Sequence, residues 1–203
     1  MLTIDPSTLS AKEVYKFFIG SIIPRPIAFV TSKGSGGVIN GAPFSFFNIV
    51  SSNPPILSVA VQRNGGNEKD TAKNIKEYSE FVIHVCDEDN IAAINETAAN
   101  LPPDESEIEL AGLSVAESAV ISVPGIKEAK VRIECKLEGI VEIKDDNGIP
   151  TCDLILGRAV CFHIEDQLYE NGRIDPKLLK PVSRLAGNDY SKLGEMFTIN
   201  RPK

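Results

Sequence analysis

The stretch Ala129-Lys130-Val131-Arg132-Ile133-Glu134-Cys135-Lys136-Leu137-Glu138-Gly139 decides the fold class. Val131, Ile133, Cys135 and Leu137 alternate with Arg132, Glu134, Lys136 and Glu138. That period of two is the signature of a strand with one packed face and one polar face. The strand runs on to Lys144, with Gly139 marking a bulge or bend. Asp145-Asp146-Asn147-Gly148 is a hairpin turn signal, and Asp153 to Ile164 returns as a second long strand bent at Gly157.

The same reading extends upstream. Ile27 to Val30 and Val38 to Gly41 flank the turn Lys33-Gly34-Ser35-Gly36-Gly37 and read as a hairpin. Its glycine-rich tip has neither Walker spacing nor a following helix, so it reads as a plain turn. Ile56 to Val61 and Glu80 to Cys86 are further strands. Between the strands fall helical segments. In the first, Val14, Phe17, Phe18 and Ile22 form an apolar stripe, with Ser10 and Glu13 as a capping box. The second spans Lys69 to Ser79, with Asp70 or Thr71 as N-cap, and the third spans Asn90 to Leu101. Pro102 to Glu107 reads as a solvated acidic loop, and Asp175-Pro176 as an N-cap and first helical residue. Short strands joined by turns, with a few helices at the connections, predict a mainly β chain: one antiparallel barrel with added helices. The expected organisation is a single domain over residues 1–203, with the barrel core over about 20–165 and a closing segment over 166–203.

A chain of 203 residues buries enough surface to fold without disulfide or metal staples. Its composition, 42% hydrophobic and 24% charged, excludes a largely disordered chain, a collagen and a coiled coil. A net charge of -7 argues against nucleic-acid binding. No apolar run suits a signal segment or a membrane helix, so a cytoplasmic protein with no membrane role is expected. Cys86, Cys135, Cys152 and Cys161 form no C-x-x-C pair and read as reduced, mostly buried thiols. No metal site is expected, and His84 and His163 read as structural hydrogen-bonders.

Two segments carry candidate binding chemistry. Asn40 to Asn48 mixes small residues and hydroxyls with Phe44, Phe46 and Phe47 around Pro43. Such a mixture lets a backbone approach a flat aromatic ligand, and it also suits a bent edge strand with a phenylalanine core. Arg63 to Ile75 sets Arg63, Lys69 and Thr71 around a helix start. Unpaired N–H groups there favour an anion, and the same residues also suit a capped surface helix.

Five stretches in order carry a resemblance: S-I-I-P-R-P-I-A-F-V-T-S, N-G-A-P-F-S-F-F-N-x-V-S-x-N-P-P, K-D-T-A-x-N-I, L-G-R-x-V-x-F-H-I and S-R-L-x-G-N-D-Y-S-x-L-G-E-x-F. Spread from about residue 15 to residue 202, they resemble the flavin reductase-like, FMN-binding split-barrel family. The resemblance implies a six-stranded antiparallel Greek-key split barrel with peripheral helices. It also implies non-covalent FMN and a homodimer with the flavin near the subunit interface. By motif, Thr31, Ser32 and the run Asn40, Gly41, Ala42, Pro43, Phe44, Ser45 and Phe46 would hold the isoalloxazine and ribityl chain. Ser45 could also approach the phosphate, which Lys69, Asp70 and Thr71 would meet with Arg63 nearby. Arg184 and Tyr190, from the closing segment, would be candidates to cover the flavin, from the same subunit or from its partner.

The implied activity is an NAD(P)H-dependent flavin reductase, using NADH or NADPH and supplying reduced flavin to a monooxygenase or another acceptor. The alternative is a flavoredoxin-like electron carrier. No protein side chain need be catalytic, because hydride passes between nicotinamide and flavin. One departure bears on the nicotinamide. A shorter branch of reductases carries a histidine five residues before the strand glycine, and here that position is Cys152. The basic closing stretch from Lys177 to Lys203 could draw in a phosphorylated nicotinamide or dock on the acidic body.

Overall fold

The computed structural model describes residues 1–99, 101–102 and 105–202. Seven strands make one antiparallel sheet: β1 (Ala28–Lys33), β2 (Ile39–Phe44), β3 (Phe47–Ser52), β4 (Pro55–Gln62), β5 (Glu80–Val85), β6 (Val131–Lys144) and β7 (Pro150–Ile164). Their order across the sheet is β2-β1-β5-β6-β7-β4-β3. The architecture is mainly β with a few helices. It departs from the implied six-stranded barrel in having a seventh strand and two unpaired edges, β2 and β3.

Local chemistry explains both departures. The Asn53-Pro54 turn folds Phe47–Ser52 back onto β4, converting what reads as an irregular stretch into a strand. Closure at β2 is blocked by side chains from the loop beyond it. Ser106 Oγ donates to Ile39 O at 2.7 Å, and Gly41 N–H donates to Glu107 Oε2 at 3.3 Å. Pro43 has no N–H to offer. Ile39 O and Gly41 N–H on the β2 edge are therefore satisfied without another strand.

The long β6–β7 hairpin matches the alternation that predicted it. The register slips by one residue opposite Gly157, so Glu138 bulges beside Gly139. Gly157 has a second reason to lack a side chain, since a Cβ there would fall closer than 3.0 Å to Phe81 Cζ.

The sheet is packed on both faces at β1, which explains the unbroken apolar run at Ile27–Val30. On one side Ala28 and Val30 join Phe44, Val59, Ile75, Phe81, Ile83 and Ile155. On the other, Ile27 and Phe29 join Ile94, Ile108, Leu113 and Ile126.

Helix α1 (Ala11–Ser21) carries the expected capping box, yet its apolar stripe faces outward: Phe17 is 63% exposed and Phe18 50%. Helix α2 (Asp70–Tyr78) falls within the expected Lys69–Ser79, with Lys69 rather than Asp70 or Thr71 at the cap. Asp70 pairs with Lys73, and the Thr71 hydroxyl turns to Asn40, so neither caps the helix. Helix α3 (Ile91–Glu96) is shorter than the predicted Asn90–Leu101, and Asn100 lies outside the described residues. Within the expected acidic loop, Pro103 and Asp104 also lie outside them. Glu107 is not solvated there; it begins α4 (Glu107–Leu110) and is buried against β2. Helix α5 (Pro176–Leu179) is capped by Asp175 as predicted. Among the described residues no helix is long and apolar enough to cross a membrane.

Candidate functional site

The connection leading into β1 places a buried arginine. Pro24 and Pro26 flank Arg25, whose backbone pairs with Arg184 of the closing ribbon, Val182–Arg184 and Tyr190–Lys192. Its guanidinium donates to Ile19 O at 2.9 Å, Ile22 O at 2.8 Å and Leu185 O at 2.9 Å. It also reaches Ser45 Oγ at 3.5 Å and lies 6.0 Å from the Phe46 ring centroid. One side chain thus ties the end of α1, the closing ribbon and the bend after β2 together. A cavity of about 460 Å³ opens at this junction, walled by Phe18, Ile22, Ser45, Phe46 and Asn48 beside Arg25. In sequence Arg25 stands inside the S-I-I-P-R-P-I-A-F-V-T-S stretch with no role assigned to it. An arginine held between two prolines in an apolar stretch was the available signal, because a buried guanidinium needs several acceptors at once.

Beyond the bend, Phe44 leads toward the head of α2. Lys69 Nζ lies 5.8 Å from the Phe44 ring centroid and forms no salt bridge among the described residues. Among the described residues the helix receives no side-chain N-cap; the Ala72 N–H donates to Lys69 O at 3.0 Å, which leaves the Asp70 and Thr71 N–H groups for an anion. Arg63, expected beside the phosphate, points elsewhere. Its guanidinium grips Asp153 through Nε at 2.7 Å and Nη2 at 2.8 Å, and meets Glu142 at 2.8 Å.

The hydroxyls expected around the ring are turned inward. Thr31 is fully buried and donates to Pro124 O at 2.7 Å. Ser32, also fully buried, accepts from Asn74 Nδ2 at 3.2 Å. Asn40 donates both to Glu107 Oε1 at 3.0 Å and Oε2 at 2.9 Å, and its Oδ1 accepts from Thr71 Oγ1 at 2.9 Å. These residues form a polar brace joining β1, β2, α2 and α4 behind the candidate site. Gly41 lies in the same brace, where a Cβ would meet Phe29 and Ile108. Ala42, Pro43, Ser45 and Phe46 keep partial exposure, and Phe44 is buried.

Arg184 and Tyr190 pair with each other rather than with the bend at Ser45. The guanidinium lies 4.4 Å from the Tyr190 ring centroid, and Tyr190 Oη donates to Asn95 Oδ1 at 2.8 Å. They fix the closing ribbon against α3. Lys203, at the end of the basic stretch, lies outside the described residues.

Three residues at or near the former candidates carry strong electrostatics. Cys152 is buried beside Gln62, and burial pushes its thiol up, so it stays neutral. His84 is fully buried, and burial pushes it down to about 3. Glu134 is fully buried and accepts N–H groups of Ala119, Val120 and Ile121 as well as His163 Nε2 at 2.5 Å. Cys161 lies close enough to Glu134 and His163 for the three to suggest a metal group. Both oxygens of Glu134 are already filled, however, and the cluster acts as a clasp on the 119–121 backbone.

The donor set fits a phosphate-bearing aromatic cofactor. An unpaired ammonium and an uncapped helix head suit the anion, and the half-exposed bend at Ala42–Phe46 offers backbone and aromatic surface to a ring. The family model for the flavin reductase like domain matches residues 19–179, and the chain belongs to that family. Among solved structures it is similar to nitrilotriacetate monooxygenase component B from Bacillus cereus. That likeness has 58% identity, 98% coverage of both chains and a TM-score of 0.96. It is also similar to the Pseudomonas fluorescens 2-nitrobenzoate 2-nitroreductase NbaA, at 31% identity, covering 99% of this chain and 96% of that one, TM-score 0.89. Flavoredoxin of Desulfovibrio vulgaris, at 18% identity, covers 87% and 90% with a TM-score of 0.74 and shares the fold.

Proposed function

We propose that this protein binds FMN non-covalently and works as an NAD(P)H-dependent flavin reductase that hands reduced flavin to a partner monooxygenase. The observation that carries this reading is the 58% identity, over nearly the whole chain, to a protein named as a monooxygenase component. Lys69 and the N-terminal turn of α2 would receive the phosphate, and the Ala42–Phe46 backbone would border the ring. Arg25 holds the bend at Ser45 against the closing ribbon and so fixes one wall of the site. Bound flavin supplies hydride acceptance from reduced nicotinamide, and the chain's task is to position and desolvate both rings.

The homodimer expected of the family is part of the same proposal. The outward apolar face of α1 and the edge residues Ile49 and Val50, 73% and 55% exposed, are the surface it would cover. A neutral, buried Cys152 offers no charge to a nicotinamide, so nicotinamide affinity would come from other groups.

Anaerobic mixing of the FMN-loaded protein with NADH and with NADPH tests the reading. Loss of the visible flavin absorbance with either one, faster than in free FMN, is expected. If neither nicotinamide reduces the flavin while dithionite does so at once, an electron carrier of the flavoredoxin kind replaces the reductase.

A further inference from the structure

We infer that Asp153 is a positioning residue for the phosphate seat at the head of α2. It clamps both ends of the chain segment that carries Lys69, and it withholds two other cations from the ligand. The inference deepens the reading above and rests on it.

Asp153 lies in β7 between Val61 of β4 and Glu142 of β6, and its side chain is fully buried. Three charge-assisted bonds converge on it. Arg63 donates Nε to Oδ2 at 2.7 Å and Nη2 to Oδ1 at 2.8 Å, and Lys76 donates Nζ to Oδ1 at 3.0 Å. Arg63 directly follows β4, and Lys76 lies near the end of α2. The chain between them leaves the sheet, turns tightly where Asn64 and Asn67 pair, and enters the helix at Lys69. One carboxylate therefore closes residues 63 to 76 into a ring, with the uncapped helix head midway round it. Glu68, inside the ring, meets both Arg63 and Lys76, which braces the residue immediately before Lys69.

The charges explain why this matters for phosphate. Arg63 and Lys76 are committed to Asp153, Glu68 and Glu142, and Lys144 meets Glu142 as well, so the cluster is balanced within itself. Arg63 beside Asp153 holds that carboxyl below the usual range, so it stays anionic at neutral pH. Lys69 is left as the cation at the helix head. A charge-assisted bond depends steeply on distance and angle, so discrimination for a phosphate depends on how rigidly the ring presents Lys69 and the first-turn N–H groups. Asp153 supplies that rigidity without touching the ligand.

The test compares FMN with riboflavin, which differ by the phosphate alone, in fluorescence titrations of the full chain. Asp153→Asn removes the clamp, and Lys76→Met cuts one arm of it at a side chain 37% exposed. Each should weaken FMN by about tenfold while riboflavin changes by less than about twofold, the partial loss of a charge-assisted contact. Inorganic phosphate should compete with FMN less well in both variants than in the wild type. Lys76→Arg should restore the discrimination. Lys69→Ala serves as the control on the seat itself. If Lys69→Ala weakens FMN selectively, while Asp153→Asn and Lys76→Met bind FMN like the wild type, the seat stands and the positioning role is refuted. Equal losses for both flavins, or tighter FMN from a released Arg63, refute it also. If Lys69→Ala leaves the discrimination intact, the seat is misplaced and the inference falls with it. Should Asp153→Asn fail to melt cooperatively, Lys76→Met alone decides.

Discussion

Lowering the pH from 7 to 5 should destabilise this protein through one buried imidazole. His84 Nδ1 lies 2.9 Å from Phe29 O, and Ile126 N–H lies 3.0 Å from Nε2. A carbonyl can only accept and an amide N–H can only donate. The ring must therefore be neutral, with its proton on Nδ1 and a lone pair on Nε2. Protonating Nε2 would set two donors against each other in a fully buried position. Burial accordingly pushes His84 down to about 3 from an ordinary value of 6.5. The folded value is the depressed one, so the unfolded chain takes up a proton that the folded chain refuses. Stability from this source is intact above pH 6.5, falls as pH drops below it, and levels off once pH passes the folded value. At pH 5 the loss is about 2 kcal/mol, since each pH unit below 6.5 costs about 1.4 kcal/mol. That is a substantial share of a domain stability of about 5–15 kcal/mol. Urea unfolding between pH 7 and 5 measures it, with His84→Gln as the comparison, because a glutamine amide can donate and accept but does not titrate. The depressed carboxylates Asp153 and Glu134 lose their contributions below their unfolded values, about 4, outside this window. An equal pH slope in wild type and His84→Gln would refute the reasoning.

Two further outcomes follow from the packing. Gly157→Ala would force its Cβ into the Phe81 ring and should cost about 1–3 kcal/mol, lowering the melting temperature by several degrees; Phe81→Leu in the same chain should recover part of that loss. Light scattering across a dilution series should report a dimer, and Phe17→Asp, which puts a charge on the outward stripe of α1, should raise its dissociation constant by about tenfold or more; a wild-type monomer at every concentration would remove the homodimer from the proposal.

How far the sequence could be read depended on whether a residue's partner was near in the chain. The β6–β7 hairpin, the capping box on α1 and the Asp175 cap are written in local periodicity and spacing, and each appears where expected. Strand β3 was missed because Phe47–Ser52 shows no clean alternation: its bulge lies between Ile49 and Ser51, and it pairs along one side only. The residues around the site divide along the same line. The place of Lys69 at a helix start was recognisable because such a start announces itself within a few positions. What Arg63 does was not, because its partner Asp153 is ninety positions away and looks in sequence like one more polar residue in a strand. Glu107 was misread for a similar reason. Within an acidic run it reads as solvated, until the unpaired edge of β2 supplies donors in Asn40 and Gly41. Thr31, Ser32 and Asn40 show the converse case. Hydroxyls and amides suited to a ligand are equally suited to a buried brace, and only the fold decides which donors they face. Motif matching groups these residues, and the hydrogen-bond network separates the side chains left toward solvent from those that hold the others in place.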